Sequence, residues 1–164
     1  MVTAERRLGL QSTARLFALL NMALSDAYVA GWDSRFHYDF WRPFTAIRDA
    51  ENDGIPTTQP DPAWEPELTT PPVQDYPSTH SALGDAGAEV LAALLGDRTS
   101  FTFTSTTVVP AGGTRSFTSF SRAADENADS RVRAGIHFRF ACEAGQELGR
   151  KIGRWTVQNH LRPR

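Results

Sequence analysis

From Gln11 to Trp32 the apolar residues Leu16, Phe17, Leu19, Leu20, Ala23, Leu24, Ala27 and Tyr28 recur at helical spacing and cover a broad face, which predicts a well-buried helix. A second helical stretch, Arg35 to Trp41, runs toward Pro43. Proline disfavours helical backbone in the residue before it, so a boundary or kink is expected at Arg42. Seven of the ten prolines lie between Pro56 and Pro77, close behind Asp53-Gly54, and predict a long ordered loop without regular structure. Ser78 then opens the clearest helix in the chain, through Leu95, with Gly96 as its stop and Leu83, Val90, Leu91 and Leu94 for the core.

Between Ser100 and Phe117 the alternating stretch FTFTSTTVV, followed by Pro110 and Gly112-Gly113, has the pattern of a small hairpin or extended excursion. Helical periodicity returns from Ser121 to Arg133 and stops near Gly135. It resumes from about Phe138 to His160, with Phe140, Ala144, Leu148, Ile152 and Trp155 as apolar positions. The fold class expected is all-α, with a hairpin excursion near 100–117. No internal repeat is visible.

With 164 residues, 18.1 kDa and 40% hydrophobic residues, the chain can bury one core, and one domain over 1–164 is expected. Cys142 is the sole cysteine and no His/Cys cluster has zinc-ligand spacing, which argues against a disulfide framework or a zinc module. The longest apolar run, Leu16 to Leu24, is interrupted by Asn21 and falls far short of the ~20 residues of a membrane span. Met1 to Leu10 lack a signal-peptide core, so the sequence as written is expected in the cytoplasm, the leader of a longer secreted precursor aside. Net charge is −2 but uneven: 49–97 holds ten carboxylates and no Lys or Arg, whereas 130–164 holds eight basic and two acidic residues. Without interleaved aromatics this is not a nucleic-acid surface. Sixteen of the seventeen basic residues are Arg, the side chain whose planar fork grips oxyanions best.

Three short segments carry candidate chemistry. In Arg35-Phe-His-Tyr-Asp-Phe-Trp-Arg42-Pro43 the two arginines are seven residues apart. At about 100° per residue they return to nearly one face and can converge on one anion, provided the helix reaches Arg42; two ordinary surface arginines are the alternative. In Tyr76-Pro77-Ser78-Thr79-His80 a hydroxyl and an imidazole sit at the start of the clearest helix, where free N–H groups and the helix dipole favour an anion. A plain Ser cap beside an incidental His fits as well. In Ser130-Arg131-Val-Arg-Ala-Gly135-Ile-His137, Arg131 and His137 would lie about 120° apart on a continuous helix, so a break at Gly135 is needed to bring both to one site. The alternative there is a helix corner whose His satisfies a buried carbonyl.

Taken together and in order, R-x6-R-P, P-S-T-H and S-R-x5-H resemble K-x6-R-P, P-S-G-H and S-R-x5-H, the signature of the superfamily of vanadium-dependent haloperoxidases and type-2 phosphatidic acid phosphatases. The phrases YDFWRPFTAIR, YPSTHSALGDAGAEVL and SRVRAGIHFRFACEAG look most like its soluble bacterial haloperoxidase-related branch, over nearly all of Leu16 to Trp155. The resemblance implies a helical bundle of that type and an enzyme with vanadate as cofactor. Arg42 and Arg131 would hold its oxygens, with Arg35 in the usual lysine position, Ser78 donating its hydroxyl and Thr79 its backbone N–H. His137 would ligate the metal, or attack phosphorus in a phosphatase, and His80 would act as acid/base. Trp32 resembles the aromatic on the halide side, a core Trp being the alternative.

Hydrogen peroxide and halide are the implied substrates, bromide before chloride. A phosphate ester handled through a phosphohistidine, or a non-catalytic oxyanion-binding domain, are the alternatives. Neither a membrane nor nucleic acid is an expected partner. Members of this branch are usually longer, so the chain is expected to be the C-terminal catalytic part of a longer architecture or to recover contacts as a homo-oligomer. Three positions depart from the pattern: Arg35 replaces Lys, Thr79 replaces Gly, and Ala141 stands where many relatives carry Asp four residues after the histidine. His137 is therefore expected to be oriented by another group, such as a carbonyl.

Overall fold

The computed structural model describes residues 8–105 and 111–162. Helix α1 runs unbroken over Leu10–Tyr38, taking in the first predicted stretch and the second only from Arg35 to Tyr38, short of Trp41. It ends where Asp39 takes left-handed backbone, φ 44°, and donates its N–H to the Arg35 carbonyl at 2.9 Å. Arg42 then caps helix α2, Pro43–Arg48, whose first-turn proline lacks only an N–H that would have no helical partner. The helix therefore does not reach Arg42, and the two arginines do not share one helical face. A 3₁₀ turn at Ala50–Asn52 leads into the proline-rich loop, which holds no helix or strand from 53 to 78, as predicted.

Helix α2 is followed by α3, Thr79–Leu95, with Ser78 as its cap accepting from the Ser81 N–H and Gly96 at φ 84° as its stop. Strands β1, Phe101–Phe103, and β2, Arg115–Phe117, pair antiparallel with Phe101 opposite Phe117. The hairpin is thus confirmed in its arms, while residues 106–110 of the predicted stretch lie outside the described residues. Helix α4, Phe120–Arg133, is capped by Ser119, whose hydroxyl accepts from the Arg122 N–H at 3.1 Å. Gly135, at φ 72°, breaks the chain before α5, Arg139–Asn159. A side chain there would be strained and would also press on Trp64 and Pro66 of the loop.

The fold is all-α apart from this hairpin. Helix α3 is central and packs on α1, α4 and most extensively α5. Leu19, Ala23 and Ala27 of α1 meet Ala82, Ala86 and Val90 of α3 in one core cluster, and Leu16, Leu95 and Phe120 form a second. On α5 the buried positions are Ala141, Cys142, Gly145, Gly149, Gly153 and Thr156, while Phe140 and Trp155 are exposed. Of the apolar positions that mark α5 in the sequence, Leu148 and Ile152 pack against the core, partly buried. The face is set by glycines instead: an added Cβ at Gly149 would lie 2.2 Å from the Ala82 carbonyl oxygen, and one at Gly145 2.3 Å from that of Ser78. The two backbones touch, and no larger residue fits between them. Among the described residues no helix is long and apolar enough to cross a membrane.

Two measurements test this packing. Gly149→Ala is expected to lower unfolding stability by about 2 kcal/mol or more in urea titration, because the atoms in the way are backbone. Asp85 of α3 is buried, paired with Arg150 at 2.8 Å, with Oδ2 unpartnered. Burial, against the pull of Arg150, raises its carboxyl from 3.8 to about 6. The folded state then holds that proton more tightly than the unfolded chain, so this group's contribution falls as pH climbs from 3.8 to about 6. The stability of Asp85→Asn relative to wild type should rise across that window and level off above it; a flat difference would show that folding leaves the Asp85 carboxyl at its ordinary value.

Candidate functional site

The three predicted segments converge at the N-terminal end of α3. Arg35, in the last turn of α1, is buried and donates from Nε to the Pro77 carbonyl at 3.0 Å. Its guanidinium lies 5.6 Å from the ring centroid of Trp32, so that aromatic serves as a cation–π platform. Arg42 arrives after the left-handed turn, equally buried, donating from Nε to the Val73 carbonyl at 2.7 Å and from Nη1 to that of Ile136 at 2.6 Å. Arg131 comes from the last turn of α4, and the break at Gly135 lets it share the site with His137, as the spacing required. The guanidiniums of Arg35 and Arg42 are tied to main-chain carbonyls, which fix position without cancelling charge.

Charge accordingly goes uncompensated. All three guanidiniums are held below their ordinary value, Arg42 to about 10, first by burial; Arg131 also pushes on both other arginines. Asp75 is the carboxylate that opposes Arg35 and Arg42. Arg42 Nη2 and Arg131 Nε are buried without a hydrogen-bond partner. Buried donors on unpaired cations carry a desolvation cost that an anion in the middle would remove.

The start of α3 faces this cluster. Ser78 is fully buried, and its Oγ accepts from the Ser81 N–H at 3.3 Å and the Ser81 hydroxyl at 3.0 Å, which leaves its own proton to donate. Thr79 sits where glycine was expected from the resemblance, and α1 makes room for it: a Cβ on Gly31 would stand 2.8 Å from Thr79 Oγ1. The extra side chain thus rests on α1. His80 is exposed on the same first turn, its carbonyl held by Asn127 Nδ2 at 3.0 Å. Loss of water around the ring, then Arg131, His137 and Arg35, lower its pKa below the usual histidine value, so it is neutral at pH 7.

His137 is buried, with its nitrogens facing different neighbours. Nε2 lies 3.1 Å from Arg42 Nη1, and Nδ1 lies 2.7 Å from Asp75 Oδ1, a close pairing bent away from the straight N–H···O line. Burial lowers the ring's pKa against the opposing pull of Asp75. The neighbour of His137 is thus a carboxylate and not the carbonyl that the sequence suggested. Asp75 escaped sequence reasoning because it is one of ten carboxylates in 49–97; its place directly before Tyr76-Pro77-Ser78 was the available signal. Also missed was an aromatic chain, Tyr38 on Tyr76 at 5.0 Å, Tyr76 on Phe140 at 5.8 Å and Phe140 on Phe40 at 5.3 Å, which joins residues flanking all three segments. No cluster of three or more His, Cys, Asp or Glu suited to a metal cation occurs among the described residues. Arginines, a hydroxyl, a helix N-terminus and one imidazole lone pair are a donor set for an oxyanion.

The family described as the VCPO second helical-bundle domain matches residues 15–163. Vanadium chloroperoxidase of Curvularia inaequalis is 39% identical over 83 residues, 44% of this chain and 13% of that protein. Among solved structures, a bacterial vanadium-dependent iodoperoxidase superposes with TM-score 0.83 at 32% identity, covering 96% of this chain and 36% of its own. The apo form of a bacterial vanadium-dependent chloroperoxidase gives 0.74 at 19% identity over 92% of this chain and 37% of that one, a likeness of fold. The chain therefore spans little more than a third of these solved relatives.

Arg131 separates site from scaffold, because its buried Nε has no partner to lose. In phosphate-free buffer Arg131→Gln is expected to unfold at the same or a higher temperature than wild type, since it removes a half-buried charge whose Nε has no partner. Millimolar orthophosphate should raise the melting temperature of wild type and leave that of the variant nearly unmoved. Equal shifts in both proteins would place the anion elsewhere.

Proposed function

The chain belongs to the family of the VCPO second helical-bundle domain, and from that premise we propose that it is the catalytic part of a vanadium-dependent haloperoxidase, oxidising bromide more readily than chloride with hydrogen peroxide. The observation that carries the proposal is a surplus of positive charge: two buried guanidiniums, Arg35 and Arg42, and the half-buried one of Arg131, two of the three with buried unpartnered nitrogens, opposed by one carboxylate. Tetrahedral vanadate matches that deficit in charge and shape. Arg35, Arg42 and Arg131 would bind its oxygens, with Ser78 and the Thr79 N–H completing the cradle and His137 Nε2 as the ligand to the metal. When bound, vanadate supplies a Lewis-acid centre that makes peroxide oxygen electrophilic toward halide, with no change in metal oxidation state.

The chain's own groups supply the remainder. Arg42 and Arg35 stay in place through the carbonyls of Val73, Ile136 and Pro77, so they reorganise little as charge shifts. His137 presents a neutral nitrogen to the cradle, and an arginine donor lies beside it. His80, neutral near pH 7 and open to solvent, would accept a proton from incoming peroxide at its unprotonated ring nitrogen and so act as the acid/base group. Replacing the usual lysine by Arg35 keeps the charge and spreads it over a planar fork stacked on Trp32.

The test is halide oxidation by hydrogen peroxide after removal of phosphate, with bromide, chloride and iodide in parallel. Turnover is expected only in vanadate-loaded wild type, with His137→Ala and His80→Ala each losing about 10²-fold or more. Phosphate-ester hydrolysis with a trapped phosphohistidine at His137, inhibited by vanadate, would instead establish the phosphomonoesterase. A folded protein that binds vanadate and turns over neither substrate would leave an oxyanion-binding domain.

A further inference from the structure

The tautomer of His137 follows from its neighbours. A guanidinium can only donate, so the 3.1 Å approach of Arg42 Nη1 requires a lone pair on Nε2, and the neutral ring carries its proton on Nδ1. That nitrogen faces Asp75 Oδ1 at 2.7 Å, between side chains 2% and 0% exposed. Asp75 is itself located from both ends of its residue. Its N–H donates to the Phe40 carbonyl at 2.8 Å, and its Oδ2 accepts from the Phe138 N–H at 3.4 Å.

The resemblance implies an Asp, in many relatives, four residues after the histidine, where this chain has Ala141, fully buried. The Ala141 carbonyl accepts the Ser78 N–H at 2.8 Å, so the first turn of α5 and the chain entering α3 are joined beside the site. Asp75 lies three residues before Ser78, on the loop side of that junction. We propose that Asp75 is the positioning residue for His137, a carboxylate supplied from the loop before α3 in place of the one absent at 141, and that it holds the imidazole with its Nε2 lone pair toward the arginines. Asp75 also lies 3.7 Å from Arg42 Nη1, so one carboxylate steadies both the imidazole and the guanidinium beside it.

This inference rests on His137 being the residue that engages the bound oxyanion, and its first readout is independent of turnover. Imidazole ¹⁵N NMR of the anion-free protein is expected to show His137 as a single Nδ1–H tautomer. Asp75 steadies Arg42 as well as the ring, so in Asp75→Ala both groups that fix the tautomer loosen; that signature should be lost and orthovanadate affinity should fall about 10–100-fold, as for other partners of metal-binding histidines. In Asp75→Ala/Ala141→Asp the carboxylate returns from the family's usual position, and both tautomer and most of the affinity should recover, which a merely structural role for Asp75 would not produce. Where the alanine variant does not fold, Asp75→Asn decides: it keeps the volume without the charge and should still weaken orthovanadate binding several-fold. Wild-type tautomer and affinity in Asp75→Ala, no recovery in the folded double variant, or unchanged affinity in Asp75→Asn would each overturn the proposal. Absent bromide turnover alongside a recovered tautomer and affinity would sink the haloperoxidase reading alone, whereas turnover with an indifferent Asp75 would sink this inference alone.

Discussion

Like charges held out of water are the constraint around which this molecule is arranged. Arg35, Arg42 and Arg131 repel one another, each loses hydration, and Asp75 offsets only part of the cost. Such a cluster persists only if the surrounding fold over-determines it. Here the restraint is distributed: Arg35 is tied to the loop carbonyl of Pro77, and Arg42 to those of Val73 and Ile136. The close contact of α5 with α3 through Gly145 seats the backbone of Ser78, the residue after Pro77, directly against α5.

The order of elements follows from the same need. Helix α1 must stop before Arg42 so that the chain can turn, and Asp39 supplies that turn with left-handed backbone. Helix α4 must stop before His137, and Gly135 does so against Trp64 and Pro66. The aromatic chain from Tyr38 through Tyr76 and Phe140 to Phe40 then packs the flanks of the three segments together. Scaffold and site are thus stabilised by largely different interactions, apolar packing below and carbonyl-anchored cations above.

Much of this was legible in the sequence where the information is local. Ser78, Gly96 and Gly135 mark boundaries through their own backbone and capping chemistry, and the three motifs carry their residue types at fixed spacing. The convergence of Arg35 and Arg42 was anticipated by a different route, since the expected shared helical face is replaced by a turn. The buried face of α5 is not written in its hydrophobic pattern, because glycine contributes no hydropathy: backbone contact, which periodicity does not register, decides which side faces α3. Asp75 was invisible for a related reason. Its importance lies in a contact with a residue far along the chain, and only its place directly before Tyr76-Pro77-Ser78 distinguishes it locally from its acidic neighbours.

The carbonyl anchors bear on how such a loop changes over evolutionary time. A carbonyl belongs to the main chain, so most side chains between Asp53 and Gln74 can drift without disturbing what Val73 and Pro77 offer to the arginines. Insertions and deletions are another matter, because one residue more or less would carry those oxygens out of register. The segment is then expected to be free in composition and fixed in length, with Asp75 at its end as a side chain that cannot be exchanged freely.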